Sequence, residues 1–143
     1  MAAKDKLDRT YLNMAKELAK LSYAEKRKVG CLIVKDTQII SEGYNGTPRG
    51  FDNKCEYLDH VDELWTKDEV LHAESNAITK LARSTNSSNG ATLYVTCCPC
   101  FECAKLIIQS GIERVVYEDK YRKIQGLELL EEAGITLEQL SDA

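Results

Sequence analysis

Residues 91–119, ATLYVTCCPCFECAKLIIQSGIERVVYED, decide the fold. ATLYVT is a short run of β-branched and aromatic residues, which predicts a strand. CFECAKLIIQSG follows with apolar residues at helical spacing and is closed by Gly111, so it predicts a helix. ERVVYED returns as a second strand. A strand joined to the next through a helix is a crossover connection, and such connections lie in a sheet covered by helices.

Working outward, the same alternation continues on both sides. GLELLEEAG, closed by Gly134, predicts a further helix and ITLEQL a last strand. Upstream, Ala73, Ala77, Ile78, Leu81 and Ala82 mark a helix that ends in the polar stretch STNSSNG, where Asn89-Gly90 is a turn signal. VGCLIV (29–34) reads as a buried strand, Lys35-Asp36-Thr37 as a turn and Gln38–Tyr44 as its partner, which together form a hairpin. GYNGTPRG (43–50) holds three Gly and one Pro in eight residues and is a loop. Leu7, Tyr11, Met14, Ala15, Leu18, Leu21 and Ser22 share one face of an N-terminal amphipathic helix. Residues 51–70 read as a loop with one short helix. The order is α-β-β-α-β-α-β-α-β, an α/β class with a mixed sheet, because the opening hairpin is antiparallel.

Composition bounds the function. The 143 residues suit one domain, 1–143, and 43% hydrophobic with 29% charged residues is ordinary for a globular chain. Nineteen basic against 23 acidic residues give a net charge of −4 and a pI near 5.3, which argues against a protein that wraps polymeric nucleic acid. A small phosphorylated ligand needs only two or three placed cations. No apolar run approaches the roughly 18 residues of a membrane span, and MAAKDKLDRT lacks the apolar core of a signal peptide. No membrane partner and a cytoplasmic location are the expectations.

Six cysteines are present, and four of them (Cys97, Cys98, Cys100, Cys103) fall within seven positions. Clustering of this kind points to a metal or reactive thiols rather than to a disulfide framework. Cys100 and Cys103 sit three apart at a helix start marked by Pro99, where the partial positive charge favours thiolates. His72 opens the preceding helix. Two thiolates and an imidazole are three ligands of a tetrahedral Zn²⁺, and a fourth position left to water is the arrangement of a catalytic site. Glu74, two residues beyond His72, is placed to move protons. The bland alternative is a closed structural zinc with Cys97 or Cys98 as fourth ligand and Glu74 as a solvated helix residue.

The H-x-E…P-C-x-x-C pattern is that of zinc nucleobase deaminases. With VGCLIVKD, GYNGTPRGFDNKCE, HAESNAI and LYVTCCPCFECAKLIIQSGIERVVY, the chain resembles the cytidine deaminase-like superfamily, and within it the deoxycytidylate (dCMP) deaminases. The resemblance implies a three-layer α/β/α sandwich with a five-stranded mixed sheet, usually in a homohexamer. It implies hydrolysis of dCMP to dUMP and ammonia, which supplies dUMP for thymidylate synthesis, with activation by dCTP and inhibition by dTTP together with Mg²⁺. It assigns zinc to His72, Cys100 and Cys103 and proton transfer to Glu74. Substrate contacts fall to Asn45, Arg27, Ala73, Tyr121 and Arg122, and an allosteric nucleotide to Gly46, Arg49 and Lys35. Some members bind a second, structural zinc. Here Cys55 and His60 are what remains of such a site, with Leu71 where relatives often carry Cys. The Lys26-Arg27-Lys28 link lacks the Asp-Pro of eukaryotic members, which suggests a bacterial or phage type. Competing readings keep the chemistry on a nucleoside, a base or adenosine in tRNA, or make the chain a zinc-stabilised binding module without turnover.

Overall fold

The computed structural model describes residues 3–120 and 123–141. Helix α1 (Ala3–Ala19) leads into the hairpin of β1 (Gly30–Lys35) and β2 (Gln38–Tyr44). A small hairpin, β3 (Glu56–Leu58) and β4 (Leu64–Thr66), precedes α2 (Ala73–Leu81). Then follow β5 (Thr92–Cys97), α3 (Phe101–Gln109), β6 (Arg114–Asp119), α4 (Gln125–Glu132) and β7 (Thr136–Gln139). The main sheet has five strands in the order β2-β1-β5-β6-β7. β1 runs antiparallel to both its neighbours, while β5, β6 and β7 are parallel, so the sheet is mixed as expected.

The pleat sorts the core into two layers. Cys31, Ile33, Leu93, Val95, Val115 and Tyr117 face α2, α3 and α4. Leu32, Val34, Tyr94 and Val116 face α1 on the other side. Alternate residues of each strand thus meet different helices, and the result is the three-layer sandwich. Among the described residues, no helix is long and apolar enough to cross a membrane.

Two expectations are corrected. Residues 51–70 contain a two-stranded sheet instead of a short helix. Tyr57 pairs with Trp65 across it, and the Asp59 carboxylate closes the turn by accepting from the backbone N–H groups of Val61 and Glu63 and from the Trp65 indole. Helix α1 is rotated from the face its apolar residues define. Ala15 and Ser22 of that face are buried and Tyr11 and Leu18 pack on the core, but Leu7, Met14 and Leu21 are exposed, whereas Asp8, Leu12 and Ala19 are buried. Close approach explains the turn: a Cβ at Gly30 would collide with the Ala15 carbonyl oxygen, so small residues must face β1.

Asp8 is held in by its partners. Its carboxylate takes both Arg114 guanidinium nitrogens and accepts from the Tyr94 hydroxyl at 2.6 Å, and Arg114 also bonds Glu138 of β7. Burial alone would raise the Asp8 carboxyl, but the bonds from Arg114 and Tyr94 and the Arg114 charge outweigh it, leaving it below the ordinary carboxylate range. A lowered folded pKa means that the stability it confers is present above the unfolded value and is lost as pH falls through the folded one. Asp8→Asn is expected to cost about 3 kcal/mol at pH 7, as breaking a buried pair does. In urea melts the gap from wild type should close below pH 4; a gap that stays constant with pH would assign the loss to packing instead.

Candidate metal centre and cavity

Two helices begin at the same end of the sheet. His72 is the N-cap of α2, with extended backbone, and Cys100 is the N-cap of α3, directly after β5. The Cys103 backbone N–H donates to Cys100 Sγ at 3.5 Å, so the sulfur caps its own helix. His72 Nδ1 lies 3.4 Å from Cys100 Sγ and 3.3 Å from Cys103 Sγ. All three ligand atoms fall within 4.8 Å of one another. Tetrahedral zinc with ordinary bond lengths would separate nitrogen and sulfur by about 3.6 Å, so the donor set fits Zn²⁺ in both chemistry and spacing. The Cys100 thiol is brought down to about 3, first by its bond with Cys103, with burial opposing and His72 and the backbone N–H assisting. It is a thiolate at neutral pH.

Among the described residues this is the one group able to hold a metal, and it contains neither Cys97 nor Cys98. The closed four-ligand site is therefore not formed. Nor do Cys55 and His60 join a second group: the Cys55 thiol donates to the Asn53 carbonyl at 3.6 Å and is raised chiefly by burial. No cysteine is in a disulfide. Cys31 packs in the core, where burial and then the Glu74 charge push its thiol well up. Glu74 stands in the first turn of α2 and is fully buried, which excludes the solvated-helix alternative.

A cavity of about 220 Å³ adjoins His72 and is bordered by Asn45, Arg27, Lys26, Glu56 and Thr66. The Asn45 side chain is spent largely on backbone: Oδ1 accepts from Val29 N–H at 2.9 Å and Nδ2 donates to the Arg27 carbonyl at 2.8 Å. It thereby ties the Gly-rich loop to the segment that carries Arg27. A second tie joins that loop to His72, since Gly46 and Leu71 exchange backbone hydrogen bonds. Arg27 pairs with Asp119 at 2.7 Å. With Lys26 it also borders a separate depression that includes Lys16, Lys28 and Asp119.

The remaining expected residues divide. Ala73 is buried in the core, which leaves its backbone alone for any ligand. Gly46 and Arg49 border a separate cavity of about 240 Å³ across the Asn45 loop, together with Tyr23, Asn76 and Lys80. Lys35 is not with them; it stands at the far end of β1, near Tyr11, Thr37 and Arg114. Tyr121 and Arg122 lie outside the described residues. Sequence reasoning did not place Glu56 and Lys26 on this cavity.

A mixed five-stranded sandwich whose α2 and α3 N-termini bring His, Cys and Cys together defines a zinc-binding deaminase fold. Residues 5–119 match the family model of the cytidine and deoxycytidylate deaminase zinc-binding region, and the chain belongs to that family. It is 39% identical over 140 residues to the deoxycytidylate deaminase of Saccharomyces cerevisiae, covering 94% of this chain and 45% of that protein. It is 35% identical over 151 residues to that of Enterobacteria phage T4, covering 80% of this chain and 78% of the phage protein. The crystal structure of the dCMP deaminase from cyanophage S-TIM5, in complex with dCMP and dUMP, superposes with a TM-score of 0.88 at 36% identity, covering 98% and 99% of the two chains. The chain spans under half the length of the two yeast relatives, 45% and 43%.

Helix α4 braces the ligand loop from behind. A Cβ on Gly126 would run into the Pro99 carbonyl oxygen and the Cys100 backbone. Gly126→Ala should therefore displace Cys100 and weaken zinc binding about 10- to 100-fold, as the loss of supporting contacts around a metal does. Competition with a chromophoric chelator measures this, and unchanged affinity would show that α4 does not set the ligand geometry.

Proposed function

We propose that residues 1–143 act as one zinc-dependent deaminase domain that hydrolyses dCMP to dUMP and ammonia. The observation that carries the reading is the cluster of His72, Cys100 and Cys103, with Glu74 fully buried two residues beyond His72, next to a cavity that His72, Arg27 and Lys26 line. Zinc held by the three ligands would supply the Lewis acidity that makes water a nucleophile near neutral pH. Glu74 accepts the proton that water loses as it adds to C4 of the pyrimidine, and passes it to N3. Glu74 then takes the remaining proton from the C4 hydroxyl and delivers it to the amino group; the C4–N bond breaks, ammonia leaves, and C4 becomes a carbonyl with N3–H retained. A buried carboxylate suits both transfers, since no bulk water competes for the proton.

Arg27 receives the 5′-phosphate, with Tyr121 and Arg122 as further contacts, while Asn45 orders the loop that walls the cavity. The ion pair with Asp119 sets the direction of the Arg27 guanidinium before a phosphate arrives. The cavity with Arg49 and Lys80 suits a nucleoside triphosphate with Mg²⁺, dCTP activating and dTTP inhibiting. It shares the Asn45 loop with the substrate cavity, which supports coupling between the two. A contact between copies, as a homohexamer requires, is supported by the exposed apolar side chains of Met14, Leu21 and Ile39 beside one another. A nucleotide substrate accords with a cytoplasmic location.

Zinc-replete protein is expected to deaminate dCMP in preference to deoxycytidine and cytosine, and faster with dCTP and Mg²⁺. Glu74→Gln should retain one zinc per chain and lose about 10²- to 10⁴-fold in turnover. Turnover of deoxycytidine alone would keep the zinc chemistry and remove the phosphate site, and full activity in the Gln variant would sink the mechanism.

A further inference from the structure

Of the six cysteines, five are buried and Cys100 alone is partly exposed. A thiol that reagents cannot reach is inert, so exposure singles out Cys100. Its position singles out a partner. Cα atoms three residues apart at a helix start lie about 5 Å from each other, inside the range that a disulfide requires. Cys103 stands three residues on, and its backbone N–H already donates to Cys100 Sγ at 3.5 Å. Only 2% of Cys103 is exposed, so a molecule arriving from solvent meets Cys100 first. Cys97 and Cys98, near in sequence, belong to the apolar core instead and lie outside the group that His72 forms with Cys100 and Cys103.

A reachable first cysteine and a buried second one at a helix start form the layout of a dithiol that exchanges with disulfides. We infer that Cys100 and Cys103 are a site of reversible oxidation, closing to an intramolecular disulfide when zinc does not hold them. The inference rests on the reading of these two sulfurs as zinc ligands. The co-reactant is a small disulfide of the glutathione class. Cys100 Sγ attacks one of its sulfurs, that S–S bond breaks, and one thiol leaves with the Cys100 proton. Cys103 Sγ then attacks Cys100 Sγ and expels the second thiol, which carries off the Cys103 proton. The two cysteines lose two electrons and the small disulfide gains them. Closure removes two of the three metal ligands at once, so zinc uptake and oxidation exclude each other.

The test exposes the zinc-loaded full chain, and the same chain stripped by a chelator, to glutathione disulfide at neutral pH. Free thiols are then counted in denaturant, and zinc uptake is measured against a chromophoric chelator. The stripped chain should fall from six free thiols to four and lose zinc uptake, and dithiothreitol should restore both. The loaded chain should keep all six over the same time. Stripped Cys103→Ser should lose one thiol and gain one bound glutathione, whereas stripped Cys98→Ala should still lose two thiols and gain none. A stripped chain that keeps every thiol overturns the inference, and so does zinc uptake that survives oxidation. Loss of more than two thiols would show that the buried cysteines react as well, which overturns the assignment to this pair. If the reduced chain takes up no zinc, the metal-site reading falls instead, and the thiol count still decides whether the pair closes.

Discussion

His72 and Cys100 cap their helices while turning their metal-binding atoms toward each other, and the site depends on that double duty. An N-cap residue has extended backbone, so its side chain points back across the helix start rather than along the helix face. Two such caps at one end of a sheet bring nitrogen and sulfur to 3.4 Å, and Cys103 follows one turn inside α3. The partial positive charge of both helix starts favours thiolates and carboxylates alike. Cys100 ionises there, and Glu74 can be buried there. Sheet order makes the arrangement possible, because the central pair β1 and β5 supplies the floor on which α2 and α3 lie side by side.

What surrounds the centre is held by backbone hydrogen bonds that side chains complete. Asn45 binds Val29 and Arg27, Ser22 donates to the Asn45 carbonyl at 2.7 Å, and Glu56 binds Glu25 and Lys26. Residues 22–29 are therefore fixed from two directions, by the Gly-rich loop and by the β3–β4 hairpin, without any regular structure of their own. Here a carboxylate and an amide do the fastening, which accords with the absence of a second metal-binding group among the described residues.

Much of this was legible in the sequence, for reasons that can be stated residue by residue. The crossover in 91–119 and the hairpin in 29–44 carry strong local signals, and they define the sheet. His72, Glu74, Cys100 and Cys103 were legible because their chemistry has few other uses at that spacing. The α1 face was read correctly at Ala15 and Ser22 but not at Leu7 and Met14, because the helix packs closely on Gly30 and the Arg114 pair draws in Asp8. Both causes are long-range and leave no mark in the helix itself. The 51–70 segment failed for a related reason: its strands are three residues each, too short for alternation to show.

Glu56 illustrates the limit most clearly. In sequence it is one of many acidic residues in a segment of mixed charge, and solvent exposure would be the ordinary expectation for it. Only folding reveals that Oε2 is committed to two backbone donors and that Oε1 is buried beside the cavity. A chain that needed the carboxylate merely as a fastener would gain more from an amide, which satisfies the same N–H groups without burying a charge.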